Sequence, residues 1–146
     1  MTGLARDAGD LSRLRSRNMN PSESCPCGAK VAYAACCGRY LEGGRFPETA
    51  EALMRSRYVA YVLGRTDYVL QTWHPDTRPV GLEADREPVR WLGLQVRRVA
   101  GGGPGEALGI VEFVARYKVG GRAHRLQEVS RFVREDGRWF YRDAQT

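Results

Sequence analysis

The chain has 146 residues, of which 42% are hydrophobic and 27% are charged, and its formal net charge is +6. This length suits one ordinary domain, or a small module joined to a domain of about 100 residues. A membrane span needs about 20 consecutive apolar residues and a secretory signal needs an apolar run of about 7–15. The sequence contains neither pattern, so we expect a cytoplasmic protein that is not embedded in a membrane.

The first part of the chain is basic, with arginines at positions 6, 13, 15 and 17 and no apolar run between them. We predict a disordered basic extension over residues 1–20. A positive charge of this size is compatible with contact to nucleic acid or to an acidic protein surface, but it identifies neither partner.

The four cysteines of the chain all lie in one short segment, as Cys25, Cys27, Cys36 and Cys37. Two close pairs separated by a loop can bring four sulfur atoms to one point, and Zn²⁺ prefers four tetrahedral ligands with Zn–S distances of about 2.3 Å. Crossed disulfides between the pairs are geometrically open, but the cytoplasm keeps thiols reduced. We therefore predict a structural Zn²⁺ in a knuckle over residues 21–40, with no free coordination position for catalysis.

A helical pattern follows the linker at residues 41–47. Apolar residues recur along one stripe: Ala50, Leu53, Met54, Tyr58, Tyr61 and Val62. Pro47 suits the first turn of this helix, and Gly64 suits the left-handed position after its last turn. Thr66 and Asp67 can begin a second, shorter helix, which must end before the proline that follows His74.

The second half of the chain has the alternation of half-buried strands. In the run 108–119, Val111 and Phe113 share one face while Glu112 lies on the other, and residues 92–97 alternate in the same way. Turns are predicted at the glycine-rich segment 101–105, at positions 120–121 and at positions 136–137. Two helices followed by four antiparallel strands predict an α+β domain over residues 47–146, with the helices packed on one face of a curved sheet.

Specific motifs connect both parts to known families. Residues 25–38, with all four cysteines, Pro26, Gly28 and Tyr33, resemble the SEC-C motif, a zinc knuckle also found at the C-terminus of the SecA translocation ATPase. The remainder resembles the YchJ family of uncharacterised bacterial proteins. Its matching segments, in chain order, are 53–58, 72–75, 91–94, 111–117, 130–132 and 137–141. This resemblance implies a nuclear-transport-factor-like cone, in which helices pack against a strongly bent antiparallel sheet that can enclose a pocket.

Few residues are candidates for catalysis, and none is convincing from the sequence. His74 could act as a general base with Glu112 or Glu128 from facing strands, or it could simply cap the end of the second helix through a backbone hydrogen bond. We expect both glutamates on the solvent face of their strands, unless the concave face of the bent sheet lines a cavity.

Aromatic residues and arginines leave two further alternatives open. Trp73, Trp91 and Trp139 could line a ligand pocket or stack on single-stranded nucleic acid, although such residues more commonly form core. Seven arginines of the strand region could share a surface, at positions 116, 122, 125, 131, 134, 138 and 142. Acidic residues are interspersed among them, which favours a mixed-charge surface over a track for phosphates.

The sequence therefore predicts a zinc-dependent interaction module whose knuckle binds a protein partner, by analogy with the SecA knuckle and its chaperone. The alternative is a small enzyme or ligand-binding protein that uses the pocket of the cone. A cavity lined by an ionisable group with a shifted pKa favours the alternative, whereas a cone filled by aromatic side chains favours the interaction module.

Overall fold

The computed structural model describes residues 19–82 and 88–145, so nearly all of the predicted basic extension lies outside the described residues. The helices are α1 (Gly38–Leu41), α2 (Ala50–Leu63) and α3 (Thr66–Gln71), and the strands are β1 (Val89–Gly101), β2 (Leu108–Val119), β3 (Arg122–Glu135) and β4 (Arg138–Gln145). Within residues 19–82 and 88–145, no helix is both long enough and apolar enough to cross a bilayer.

Helix α2 has a distinct cap at each end. The Thr49 side chain accepts a hydrogen bond from the backbone N–H of Ala52, and Gly64 closes the helix at a φ of 74°. The predicted role of Gly64 is confirmed. The predicted place of Pro47 in the first turn is wrong, because the helix begins only after the Thr49 cap.

The four strands form one antiparallel sheet in the order β1-β2-β3-β4. Each strand is joined to the next by a tight connection, and the turn between β3 and β4 places Asp136 and Gly137 at φ values of 53° and 78°. Both residues are in the left-handed region that a two-residue hairpin turn of this type requires. The three predicted turns are confirmed.

Irregular pairing bends the sheet at three points. The register of β1 against β2 shifts between Trp91 and Gly93 and again between Val96 and Arg98, and that of β3 against β4 shifts at Arg131. An extra residue on one strand increases the local twist and changes which side chains face inward. As a result Leu92 is 46% exposed, whereas Trp91 turns towards the helices. The alternation predicted for residues 92–97 would instead place Leu92 on the buried face with Leu94 and Val96, so that prediction is wrong at Leu92.

Helix α2 lies against the concave face of this sheet and supplies much of the core. Leu53, Val59 and Leu63 are fully or almost fully buried. At the start of the helix the backbone of Gly102 approaches so closely that a Cβ there would lie 2.6 Å from the Cβ of Ala50. The predicted α+β fold, with helices packed on a curved antiparallel sheet, is confirmed.

Candidate metal centre and cone pocket

The four cysteines meet at one point next to helix α2. Their Sγ atoms all lie within 4.8 Å of one another, and those of Cys27 and Cys36 are 3.6 Å apart. A tetrahedral site with Zn–S bonds of about 2.3 Å has sulfur atoms roughly 3.8 Å apart. All four cysteines are free thiols, so the crossed disulfides are not formed and the arrangement suits a metal ion.

Short backbone interactions build this cluster. An isolated bridge pairs Ser24 with Ala32, and the N–H of Cys25 donates to the carbonyl of Val31 at 2.8 Å, which closes the first loop. A 3-10 turn over Tyr33–Ala35 then leads into the second cysteine pair, and α1 begins directly after it. The chain therefore reverses between the two pairs, which brings all four sulfurs to one side.

The close approach of the four sulfurs opposes the simultaneous ionisation of all four thiols. Hydrogen bonds from Cys25 and then Cys37 hold the pKa of the Cys27 thiol far below its usual value. Burial, followed by the nearby Cys27, raises the pKa of Cys36 to about 11, and hydrogen bonds to Cys25 and Cys27 raise that of Cys37 strongly. Four thiolates at this distance therefore need a cation, which a divalent metal supplies on binding.

The knuckle packs directly on the cone. Cys25, Cys27, Cys37 and Tyr33 belong to the same buried apolar cluster as residues of α2. Outside this cluster, Arg55 of α2 donates from Nη1 to the carbonyl oxygen of Cys27 at 2.8 Å. The cysteine cluster and the domain core are therefore continuous, and the knuckle does not stand apart as a separate appendage.

A second polar contact fixes the other end of the knuckle. Glu42 accepts hydrogen bonds from the Tyr33 hydroxyl at 2.9 Å and from the Arg65 guanidinium beyond α2. The Arg65 guanidinium holds the pKa of Glu42 below its usual value. Through Glu42, just after the knuckle, this contact joins Tyr33 of the knuckle to the connection between α2 and α3.

A pocket of about 330 Å³ opens between α2 and the concave face of the sheet. Apolar and aromatic side chains dominate its wall: Met54, Tyr58, Tyr61, Trp73, Trp91, Phe113, Ala115, Leu126, Phe132 and Tyr141. Arg57, Glu128 and Ser130 are the polar members of the same wall. This volume lies at the lower end of the range for small-molecule sites, about 300–1,000 Å³.

Arg57 is the most unusual residue of the pocket, because its charged side chain is only 6% exposed. Its Nη1 donates to the Val69 carbonyl at 2.8 Å and to the Thr72 hydroxyl at 2.7 Å, both in the α3 region. The guanidinium carbon lies 4.5 Å from the centre of the Tyr141 ring and 5.2 Å from that of Trp73. Burial lowers the pKa of Arg57, and the group nevertheless stays charged at neutral pH.

Glu128 faces the pocket from β3. Its Oε2 accepts hydrogen bonds from the Ser130 hydroxyl at 2.6 Å and from the Tyr141 hydroxyl at 3.2 Å. Burial raises the pKa of Tyr141 and also that of Tyr58, the latter to about 12. The wall therefore carries ionisable groups with shifted pKa values, the condition that favours the ligand-binding alternative.

The other two catalytic candidates lie elsewhere. His74 is buried outside the pocket, where its Nε2 contacts Glu135 at 2.8 Å and its Nδ1 accepts from the backbone N–H of Asp76 at 3.1 Å. Glu112 lies on the opposite face of the sheet from Phe113, hydrogen-bonded to Gln127 and Arg98. Neither Glu112 nor Glu128 is within hydrogen-bond distance of His74 in the described part of the chain, so the general-base alternative with these partners is not formed.

The three tryptophans have different environments. Trp73 and Trp91 line the pocket, and Trp91 packs with its ring centre 5.7 Å from that of Tyr58. Trp139 does not line it: the side chain is 3% exposed and its Nε1–H donates to the Glu48 carbonyl at 3.1 Å, next to the start of α2. Trp139 is thus a core residue that anchors the segment before the helix.

Arg57 was missing from the candidates that the sequence suggested, although the signal was available. Position 57 follows Leu53 by four residues and precedes Tyr61 by four, so it falls on the apolar stripe of α2. A charged residue on a buried stripe is a functional signal because it is almost never fully buried unless paired.

The arginines of the strand region do not form a single track. Arg116 and Arg125 are partners across β2 and β3, but Arg131 forms an ion pair with Asp143, and Arg138 lies over the Phe46 ring with its guanidinium carbon 4.2 Å from the ring centre. This distribution matches the mixed-charge surface expected from the sequence.

Two solved structures share this architecture. A SEC-C motif containing protein from Rhodopseudomonas palustris, solved in solution, is 34% identical and superposes with a TM-score of 0.73, covering 85% of this chain and 98% of that one. The crystal structure of a SEC-C motif containing protein from Psychrobacter arcticus is 26% identical with a TM-score of 0.69, covering 88% of this chain and 86% of that one.

Sequence comparisons agree with the fold. The family model described as "YchJ, middle NTF2-like domain" matches residues 49–144. A UPF0225 protein from Chromobacterium violaceum is 58% identical over 121 residues, covering 81% of this chain and 89% of that protein. One from Cupriavidus pinatubonensis is 60% identical over 125 residues, covering 86% of this chain and 85% of that protein. The chain therefore belongs to the YchJ (UPF0225) family, with a SEC-C motif joined to an NTF2-like domain.

Proposed function

We propose that this chain binds a small, largely apolar ligand in the cone pocket, and that its four cysteines hold one structural Zn²⁺. The observation that carries the first part is the pocket of about 330 Å³, whose wall is aromatic but includes a buried arginine. Wall chemistry of this kind, apolar with a few placed polar groups, is typical of small-molecule sites. We propose binding and not catalysis because neither histidine of the chain lines the pocket.

The zinc proposal is supported by the donor set. Four converging sulfur atoms favour Zn²⁺ over harder divalent cations, which prefer oxygen ligands. A site with four protein ligands leaves no position for water, so its role is structural. Free thiols persist in a reducing compartment, and for this reason we also propose a cytoplasmic location. Elemental analysis of the purified chain should find one zinc per molecule, and replacing Cys36 and Cys37 by serine should abolish it.

Filling the mouth of the pocket tests the ligand proposal. Leu126 lines the pocket and is 39% exposed, so Leu126→Trp should occupy the opening without disturbing the buried core. Leu92 is a similarly exposed leucine of the same sheet outside the pocket, and Leu92→Trp is the matched control. Small molecules detected by ligand-observed NMR with the wild type should be lost with Leu126→Trp and kept with Leu92→Trp. Equal binding by both variants would place the ligand elsewhere.

A protein partner at the knuckle is a second proposal. It is supported by a groove between the knuckle and the segment that follows it, lined by residues that include Met19, Pro21, Ala34 and Arg39. Ala34 is exposed in that groove, so Ala34→Arg should block a partner while leaving the metal ligands untouched. Affinity purification with wild type and variant should then differ in one specific companion. A companion retained by Ala34→Arg would argue against this groove.

A further inference from the structure

We infer that the pocket is built for a carboxylate on a small apolar or aromatic body, with Arg57 as the residue that recognises the carboxylate. This inference rests on the proposed function and specifies its ligand class. Three features of the pocket carry it: the unused edge of the Arg57 guanidinium, the compensated charge of Glu128, and the apolar wall between them.

The hydrogen bonds of Arg57 leave one edge of its guanidinium free. Both protein acceptors, the Val69 carbonyl and the Thr72 hydroxyl, bind Nη1. Among the described residues, Nε and Nη2 have no acceptor, and no carboxylate lies within ion-pair distance. The Nε–Nη2 edge presents two parallel N–H groups, which match the two oxygens of a carboxylate. Because Nη1 is fixed to the α3 region, this edge is turned away from α3.

The charge of Arg57 is poorly compensated inside the protein. The side chain is 6% exposed, and its two hydrogen-bond acceptors and the flanking faces of Tyr141 and Trp73 are all uncharged groups. Trp73 adds a buried indole N–H that has no hydrogen-bond partner in the described part of the chain. A buried cation without a counter-ion is costly, and a ligand carboxylate would remove that cost when it binds.

Among the residues that the structure describes, Glu128 is the one carboxylate of the same wall, and it does not pair with Arg57. Its Oε2 already accepts from Ser130 and Tyr141, and the residue is only half-buried. Its charge is therefore stabilised by two donors and by solvent, whereas Arg57 has two neutral acceptors but almost no contact with solvent. The asymmetry favours an anionic ligand over a cationic one, with Glu128 as a repulsive element that limits affinity.

A matched probe series tests the ligand class directly. We would titrate 3-phenylpropanoate, 3-phenylpropanamide and 3-phenylpropylamine, which share one aromatic body, into the metal-loaded protein and follow ¹H–¹⁵N NMR shifts, including the indole signals of Trp73 and Trp91. The acid should bind about tenfold or more tightly than the amide, because only the carboxylate offers two anionic oxygens to the Nε–Nη2 edge, whereas the amide offers one neutral acceptor. The amine should bind no more tightly than the amide.

Variants give the direction of each effect. Arg57→Gln should bring the affinity for the acid down to that for the amide. If that variant does not fold, Glu128→Gln still tests the assignment of Arg57. Removing the repulsive charge should tighten binding of the acid about threefold or more and leave the affinity for the amide unchanged. Glu112→Gln, a glutamate of the neighbouring strand on the opposite face, is the control and should change neither.

The outcomes separate this inference from the function on which it rests. If the amide or the amine binds as tightly as the acid, or if Glu128→Gln weakens acid binding, the assignment of Arg57 is wrong while the pocket remains a ligand site. If none of the three probes shifts pocket signals at millimolar concentration, the proposed ligand-binding function itself is contradicted.

Discussion

The hydrogen bond from Arg55 to the Cys27 carbonyl allows a quantitative test of how the metal knuckle supports the cone. Arg55 lies on α2, and Cys27 is one of the four sulfur donors, so this bond joins the two parts at the metal centre. The change we consider is Arg55→Met. Methionine retains most of the apolar stem of arginine and removes only the guanidinium group.

The magnitude follows from the two interactions that Arg55 makes. A charge-assisted hydrogen bond to a backbone carbonyl contributes about 1.5–3 kcal/mol. The lower end applies here because the Arg55 side chain is 24% exposed. Its helical ion pair with Glu51 adds about 0.3–0.5 kcal/mol. In the metal-loaded protein the loss should therefore be about 2 kcal/mol, whereas without metal, when the Cys27 carbonyl is no longer held, it should be about 0.5 kcal/mol.

Thermal unfolding with and without a chelator measures this difference. For a chain of this size each kcal/mol shifts Tm by about 3–4 °C, so Arg55→Met should lower Tm by about 6–8 °C in the loaded protein and by about 2 °C in chelator. Glu51→Gln is the control, because it removes only the ion pair and should cost about the same in both states. An equal loss for Arg55→Met in both states would refute coupling between metal and cone through this bond.

Three further changes probe the knuckle and the core. Gly38→Ala would place a Cβ 2.7 Å from the Tyr33 carbonyl oxygen, so it should cost about 1–3 kcal/mol and speed release of metal to a competing chelator. Unchanged release would show that the turn relaxes easily. Glu42, whose pKa is lowered by Arg65 from the ordinary value of 4.5, should stabilise the fold above that pH and lose its contribution as the pH falls through the lowered pKa. Glu42→Gln should remove this pH dependence at a cost below about 1 kcal/mol at neutral pH, as denaturant titrations between pH 3 and 7 would show. If Glu42→Gln left the pH dependence of stability unchanged, other groups would have to cause it. Leu53→Ala empties a site with 0% exposure and should cost about 2–5 kcal/mol by denaturant titration, and a loss below about 1 kcal/mol would mean that the core collapses around it.

The elements of the fold were accessible from the sequence because each has a local cause. The apolar stripe and Gly64 define α2, and the paired glycines and Asp136 define the turns of the sheet. The bulge near Trp91 has only a weak local signal, the isolated Gly93 within the strand pattern, which does not by itself say which neighbouring side chain turns inward. For this reason the inward position of Trp91 could not be derived from alternation alone.

The metal centre and the pocket differ in the same way. Four cysteines in a short segment meet because a single chain reversal brings them together, so spacing was enough to find them. The pocket is assembled from α2, β1, β2, β3 and β4, and its existence depends on the curvature of the whole sheet. Glu128 directly follows residues 122–127 of β3, all of which are exposed. This polar stretch has no alternation of apolar and polar residues that would mark Glu128 as inward-facing.

Helix α2 connects the two sites through two arginines only two residues apart. Successive residues of an α-helix are rotated by about 100°, so Arg55 and Arg57 project on nearly opposite sides. Arg55 accordingly binds the Cys27 carbonyl of the knuckle, while Arg57 is fixed to Val69 beside the pocket. A metal ion bound by the four cysteines would therefore restrain the same helix that positions the pocket's cation. Because coupling between two binding events is reciprocal, a ligand that needs Arg57 in this position must in turn strengthen metal binding to the extent that the metal favours that position.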